Sequence, residues 1–92
     1  MANLYCISYD LSKDGDYSKL IDKIRDSTDW WHQSGSVWFI SSESSAVEIR
    51  DSLKQFLQPS DKLFVFLVKP CSWAGTGFSK DEYEWFKNNN KE

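Results

Sequence analysis

The sequence predicts a small α+β domain with a ferredoxin-like βαββαβ core, an antiparallel sheet carrying two helices on one face, plus a short C-terminal helix. Three observations predict this class. The chain has 92 residues, room for a single domain. Its apolar spacing alternates between the strand period of two and the helix period of 3.6, in the order β, α, β(β), α, β, α. The links between these segments are short, with no repeat or linker, so neighbouring elements must pack on one another. The core is expected over about residues 3–69 and the C-terminal loop and helix over about 70–88.

Leu4–Leu11 (LYCISYDL) is rich in β-formers and ends in a turn-like run from Ser12 to Asp16. Its alternation sets Tyr5, Ile7 and Tyr9 on one face, and Leu4, Cys6, Ser8 and Asp10 on the other. Tyr17, Leu20, Ile21 and Ile24 then follow a helical template, with Asp16 placed to cap it and an end near Asp26. Trp30–His32 reads as a short strand leading through a bend at Gly35 into the strand Val37–Ile40. Ser45 and Glu48 form a capping box for a helix whose apolar face is Ala46, Ile49, Leu53, Phe56 and Leu57, stopped by Pro59. Leu63–Val68 (LFVFLV) is continuously apolar, as expected for a strand buried on both faces. After Pro70 comes a small-residue loop, Cys71 to Gly77, carrying Trp73. Ser79 and Glu82 make a second capping box, stapled by Phe78 and Tyr83, and the final asparagines are expected to fray.

A net charge of −3, with Lys and Arg scattered singly among acids, argues against strong non-specific nucleic-acid binding, which rests on a basic stripe. Cys6 and Cys71 have no metal-site spacing and read as buried free thiols. With no signal-peptide pattern and no long apolar run, the protein is expected to be cytoplasmic and soluble. Asp10, Asp14 and Asp16 lack the spacing and closing Glu of an EF-hand loop. No P-loop, dinucleotide fingerprint, zinc pattern or nucleophile elbow is present, which removes the common enzyme classes.

The stretch Leu4-Tyr5-Cys6-Ile7-Ser8-Tyr9-Asp10-Leu11 resembles the first strand of the small CRISPR-associated adaptation proteins and of the virulence-associated protein D family. In those families a strand ends in an aromatic or apolar residue, then Asp, then an aliphatic residue. Gln33-Ser34-Gly35-Ser36-Val37-Trp38 resembles their second signature, a Gln followed shortly by Ser-Val and an aromatic residue. One amphipathic helix separates the two, as in those families. The double Trp before His32 and the Trp-Ala-Gly loop at Trp73 resemble small, often phage- or plasmid-borne, relatives. The resemblance covers most of residues 3–69. It implies a homodimer in which two open sheet faces meet across a two-fold axis, with Asp10 of each chain near it. In nuclease members that Asp pair holds a divalent metal and the substrates are RNA or DNA phosphodiesters. The chain departs from them in having only Lys13 as a basic residue near Asp10, and a helix where many members place a fifth strand.

Two function classes follow. In the first, a metal-dependent phosphodiesterase, Asp10 is the metal ligand and Mg²⁺ the metal, whose bound waters can attack a phosphodiester. Ser34 and Ser36 would orient the phosphate, and His32 would carry a proton near neutral pH. The second class is a non-catalytic dimeric module that sequesters a small nucleotide signal, or docks on a protein partner in phage–host or toxin systems. Its candidate residues are Tyr9, Trp73, Gly75 and Gly77, because glycines permit close backbone approach and a Trp can cover a flat ring. A third reading is an adaptor that positions a larger enzyme. Each residue also has a structural alternative. Asp10 can accept hydrogen bonds in the following turn, and Ser34 and Ser36 can satisfy backbone groups. His32 can pack beside its tryptophans, and Trp30, Trp31 and Trp38 can form core or interface rather than stack bases. Trp73 can plug the sheet edge under the last helix. Lys13, Lys62 and Lys69 are candidate phosphate contacts with a solvated default.

Overall fold

A computed structural model describes residues 2–68 and 73–90. The elements are β1 (Asn3–Asp10), α1 (Ser18–Arg25), β2 (Asp29–Ser34), β3 (Val37–Ser42), α2 (Ala46–Lys54), β4 (Lys62–Val68) and α3 (Lys80–Asn89). Four antiparallel strands form one sheet in the order β2-β3-β1-β4. No helix among the described residues is long and apolar enough to cross a membrane.

The alternation along β1 sorts the two faces of the sheet. Tyr5 and Ile7 join Leu20 and Ile24 of α1, Trp38 and Ile40 of β3, and Ile49 and Leu53 of α2 in one buried cluster, with Tyr9 packed against it. Both α1 and α2 therefore cover the same face. On the other face Leu4 and Cys6 are buried, while Asp10 is exposed. There the register aligns Trp31 with Phe39, Phe39 with Cys6, and Cys6 with Phe66, one residue from each strand. The helix α3 lies across the β2–β3 half of this face, setting the buried Phe86 edge-on to Phe39 at 5.1 Å and to Trp31 at 6.2 Å.

The strand β4 differs from the sequence expectation. It is an edge strand, and Phe64 and Phe66 are 64% and 41% exposed. Leu63 and Val65 pack on the core, so the strand is covered on one face only. A continuous apolar run has no period to separate a doubly covered strand from an edge strand with an apolar outer face. Here the third helix covers β2 and β3 instead.

Both predicted capping boxes are present: Ser45 and Glu48 exchange bonds at the start of α2, Ser79 and Glu82 at the start of α3. Asp16 acts one residue before the N-cap of α1, which is Tyr17, and accepts from the Ser18 N–H at 3.1 Å. The α-helical part of α2 ends at Lys54, earlier than its apolar pattern suggests. The Phe56 and Leu57 N–H groups turn tighter onto the Leu53 and Lys54 carbonyls at 3.0 and 3.1 Å, yet both side chains still reach the core. The asparagine run is helical as far as Asn89, whose Nδ2 donates to the Trp85 carbonyl at 2.9 Å.

Asp61 fastens the β1–α1 loop to the turn before β4. One carboxylate oxygen accepts from the Ser12 N–H at 2.9 Å, the other from the Tyr17 hydroxyl at 2.6 Å and the Gln58 N–H at 2.8 Å. Partial burial works to raise the Asp61 pKa, but these three bonds outweigh it and hold the carboxyl below its ordinary value. Burial and the same bond push the Tyr17 hydroxyl up. A lowered carboxyl contributes stability above its unfolded value, about 3.9, and loses it as pH falls through the folded value. A raised phenol contributes below the unfolded tyrosine value, about 10, and loses it as pH rises through the folded value. Asp61→Asn is therefore expected to lower the urea midpoint at pH 7 and to flatten its decline below about pH 4, where a lowered carboxyl protonates. A wild-type acid profile in the variant would show that Asp61 carries none of this dependence.

Candidate aromatic pocket

Trp31 and Phe39 are register partners on β2 and β3, and their rings stack 5.5 Å apart at 19°. The α3 capping box brings Glu82 to this wall. Its Oε1 accepts from the Ser79 N–H at 3.0 Å and its Oε2 from the Trp31 Nε1–H at 2.9 Å. One carboxylate thus ties the start of the helix to the sheet. The Ser79 backbone bond, then the Trp31 bond, keep it below its ordinary pKa. The staple residues Phe78 and Tyr83 meet edge-on at 5.8 Å and 88°.

The loop before α3 supplies the remaining wall. Trp73 lies nearly parallel to Tyr83 at 6.1 Å and edge-on to Phe86 at 5.1 Å, and is 41% exposed. Gly75 passes close to the Tyr83 ring: a Cβ there would stand 3.2 Å from Tyr83 Cε1. Gly77 turns the chain into the helix at φ +90°, a conformation that side chains disfavour. Trp31, Phe39, Phe78, Tyr83 and Phe86, with Gln33, Trp73, Ala74 and Gly75, line an open pocket of about 160 Å³. The Ser34 hydroxyl donates to Gln33 Oε1 at 2.6 Å.

The residues expected for phosphodiester chemistry are only partly gathered. Asp10 is exposed and pairs in register with Lys62, beside a shallow depression lined by Ser8, Leu63 and Phe64. Among the described residues the Asp10 carboxylate has no hydrogen-bond or ion-pair partner. The turn that follows it is held by Asp61 and Ser12 instead. The Ser36 carbonyl accepts from the Tyr9 N–H at 3.2 Å, so Ser34 and Ser36 stand at the same end of the sheet as Asp10. His32 does not join them. It alternates to the helix side, stacks on Trp38 at 3.9 Å and 4°, and sets its Nε2 3.3 Å from the Gly35 carbonyl. Tyr9 lies on that side too. Its hydroxyl accepts from Trp38 Nε1 at 2.9 Å and donates to the Gly35 carbonyl at 3.2 Å. Strand alternation therefore parts His32 from Asp10, and Tyr9 from the Trp73 pocket, although the sequence alone groups each pair.

Among the described residues no three His, Cys, Asp or Glu side chains come together. Cys6 is a buried free thiol, pushed up to about 11 by burial. Cys71 and Lys69 lie outside the described residues. A second concavity lies between α1 and α2, but two of its polar lining groups serve nearby turns. Glu48 accepts from the Ser45 N–H and Ser42 from the Ser44 N–H.

Comparisons with family models, with curated proteins and with solved structures gave no match to the chain. The site is thus read from its own geometry. Trp73 and Gly75 were legible as a candidate pair because no periodic pattern demands them. Phe39, Tyr83 and Phe86 carry no such mark, since each also fits a core pattern. The signal for their convergence is combined: the Ser79–Glu82 box fixes where α3 starts, and strand pairing sets Phe39 beside Trp31.

Proposed function

We propose that the chain is a non-catalytic binding module that captures a small nucleotide by one flat ring held in the aromatic pocket. The supporting observation is the wall of Trp31, Phe39, Trp73, Tyr83 and Phe86 around about 160 Å³, with Gln33 at its lining. Pockets that engulf a drug-sized ligand are larger, roughly 300–1,000 Å³. This one suits a single ring system, leaving sugar and phosphate outside. Base–aromatic stacking contributes about 1–3 kcal/mol per base and requires no phosphate contact. The net charge of −3 fits such a mode better than one resting on the phosphates.

Tryptophan fluorescence titrated with nucleosides tests the reading. Trp73→Ala is expected to weaken binding by roughly tenfold or more, and Asp10→Ala to leave it unchanged. Equal affinity in wild type and Trp73→Ala, or no nucleoside bound by wild type, would remove this reading.

A second reading is favoured by the Asp10 side chain, unpaired among the described residues, beside Lys62 on a half-face that also carries the exposed Phe64 and Phe66. The element order and the strand order β2-β3-β1-β4 support the ferredoxin-like arrangement that the two signature stretches suggest. On that reading two copies join through this half-face and bring two Asp10 carboxylates toward one axis, a set suited to Mg²⁺ and to RNA or DNA phosphodiesters. Cleavage of end-labelled RNA and duplex DNA in Mg²⁺, lost in Asp10→Ala, is its expected signature. Intact substrate with the wild type would set it aside. Both readings belong to the cytoplasm, where nucleotides occur and a thiol such as Cys6 stays reduced.

A further inference from the structure

Resting on the pocket reading, we infer that the pocket prefers a flat ring carrying a positive charge, such as an N-alkylated purine, over its neutral parent, and that Glu82 strengthens this preference. The faces of Trp, Tyr and Phe rings are the negative ends of their quadrupoles, and a cation placed over them is attracted. Trp31, Phe39, Trp73, Tyr83 and Phe86 supply most of the lining, and no Lys or Arg is among the residues that line it. The two sides of the sheet differ in this respect. On the helix side the Arg25 guanidinium already stands over Trp30 at 5.5 Å and over Trp38 at 5.6 Å. Among the described residues no cation stands over Trp31 or Trp73.

The charge joined to this wall is negative. Glu82 Oε2 accepts from the Trp31 Nε1–H at 2.9 Å, and bonds from Ser79 and Trp31 keep the carboxyl ionised at neutral pH. A carboxylate bonded to an indole N–H pushes electron density onto the ring, which strengthens the pull of its face on a cation. The charge also acts directly, because a ring stacked on Trp31 lies within about 10 Å of it, a Debye length at 0.1 M salt. The helix start carries a partial positive charge, and Asp81 and Glu82 in the first turn oppose it. Lys80 in that turn is exposed and stands 3.9 Å from Glu84. A neutral ring in this pocket gains stacking alone. A cationic ring gains the same stacking, the attraction of the faces and the field of Glu82.

The test uses three nucleosides at neutral pH, titrated into the full chain by tryptophan fluorescence. Adenosine and N6-methyladenosine are neutral, whereas 1-methyladenosine is a cation. The two methylated compounds carry the same methyl group on the same base, so their comparison separates charge from added surface. Wild type is expected to bind 1-methyladenosine roughly tenfold more tightly than either neutral nucleoside. Glu82→Gln keeps a residue type that serves a capping box, and should cut the ratio of 1-methyladenosine to N6-methyladenosine affinity to about a third. Raising the salt to about 0.5 M should lower the ratio more in wild type than in Glu82→Gln. A role for Glu82 in holding α3 alone would weaken all three nucleosides alike and leave the ratio where it was. Equal binding of the two methylated nucleosides by wild type, or an unchanged ratio in Glu82→Gln, overturns the inference but leaves the pocket reading standing. Failure of all three to bind, or indifference of all three to Trp73→Ala, overturns both.

Discussion

Trp38→Ala is expected to cost about 3–5 kcal/mol of folding stability, the range for deleting a buried large aromatic side chain. Total stabilities of small domains are about 5–15 kcal/mol, so the variant should sit near the edge of folding. Trp38 is wholly buried, and its strand pairs it with Ile7, which is also wholly buried. Its ring is flanked by His32 at 3.9 Å, by Trp30 at 5.4 Å, and by the Arg25 guanidinium at 5.6 Å. Its Nε1 donates to the Tyr9 hydroxyl, which in turn holds the β2–β3 turn through the Gly35 carbonyl. Truncation opens a cavity between both helices and the sheet, and releases the polar relay that closes one end of it. Urea unfolding followed by far-UV circular dichroism reads the cost; a loss below about 1 kcal/mol would contradict the placement of Trp38 at the centre of the core.

Phe86→Ala is expected to act differently although the truncation is of similar kind. Phe86 is the buried residue of α3, edge-on to Phe39, Trp31 and Trp73, and none of the residues in the main buried cluster comes from α3. The cost, about 3–5 kcal/mol if the cavity does not collapse, should therefore fall on the docking of α3 rather than on the sheet. Amide exchange should speed up along Lys80–Asn89 while β1 keeps its protection, and nucleoside binding should disappear with the pocket wall. Unchanged protection of α3 would show that the helix is held by something other than its aromatic face.

Much of the fold was legible because local signals agree with one another. The alternation of β1, the two Ser–x–x–Glu boxes and the spacing of Leu20 and Ile24 each have one physical solution, and the structure adopts it. The outer face of β4 was not legible. Phe64 and Phe66 look like core residues until the strand order makes β4 an edge and α3 settles elsewhere. The end of α2 was misjudged for a related reason. Phe56 and Leu57 keep their core contacts in tighter turns, so the apolar pattern outlasts the α-helix. For the site, Trp73 and Gly75 stood out because no core pattern explains them, whereas Gln33 was visible only as part of a short motif. Its meaning depends on a bulge between His32 and Ser34 and on a helix distant in sequence. Tyr9 and His32 were grouped with the wrong partners because neighbouring strand residues point to opposite faces.

The central claim is that the face under α3 binds a flat ring. The five tryptophan indole N–H signals in a nitrogen–proton correlation spectrum test it residue by residue as inosine is added. The expected result is movement of the Trp31 and Trp73 signals, which line the pocket, with Trp30 and Trp38 on the opposite face unmoved. Movement confined to Trp30 and Trp38, or to the backbone signals of Asp10, Lys62 and Phe64, would contradict the claim and shift attention to the other end of the sheet.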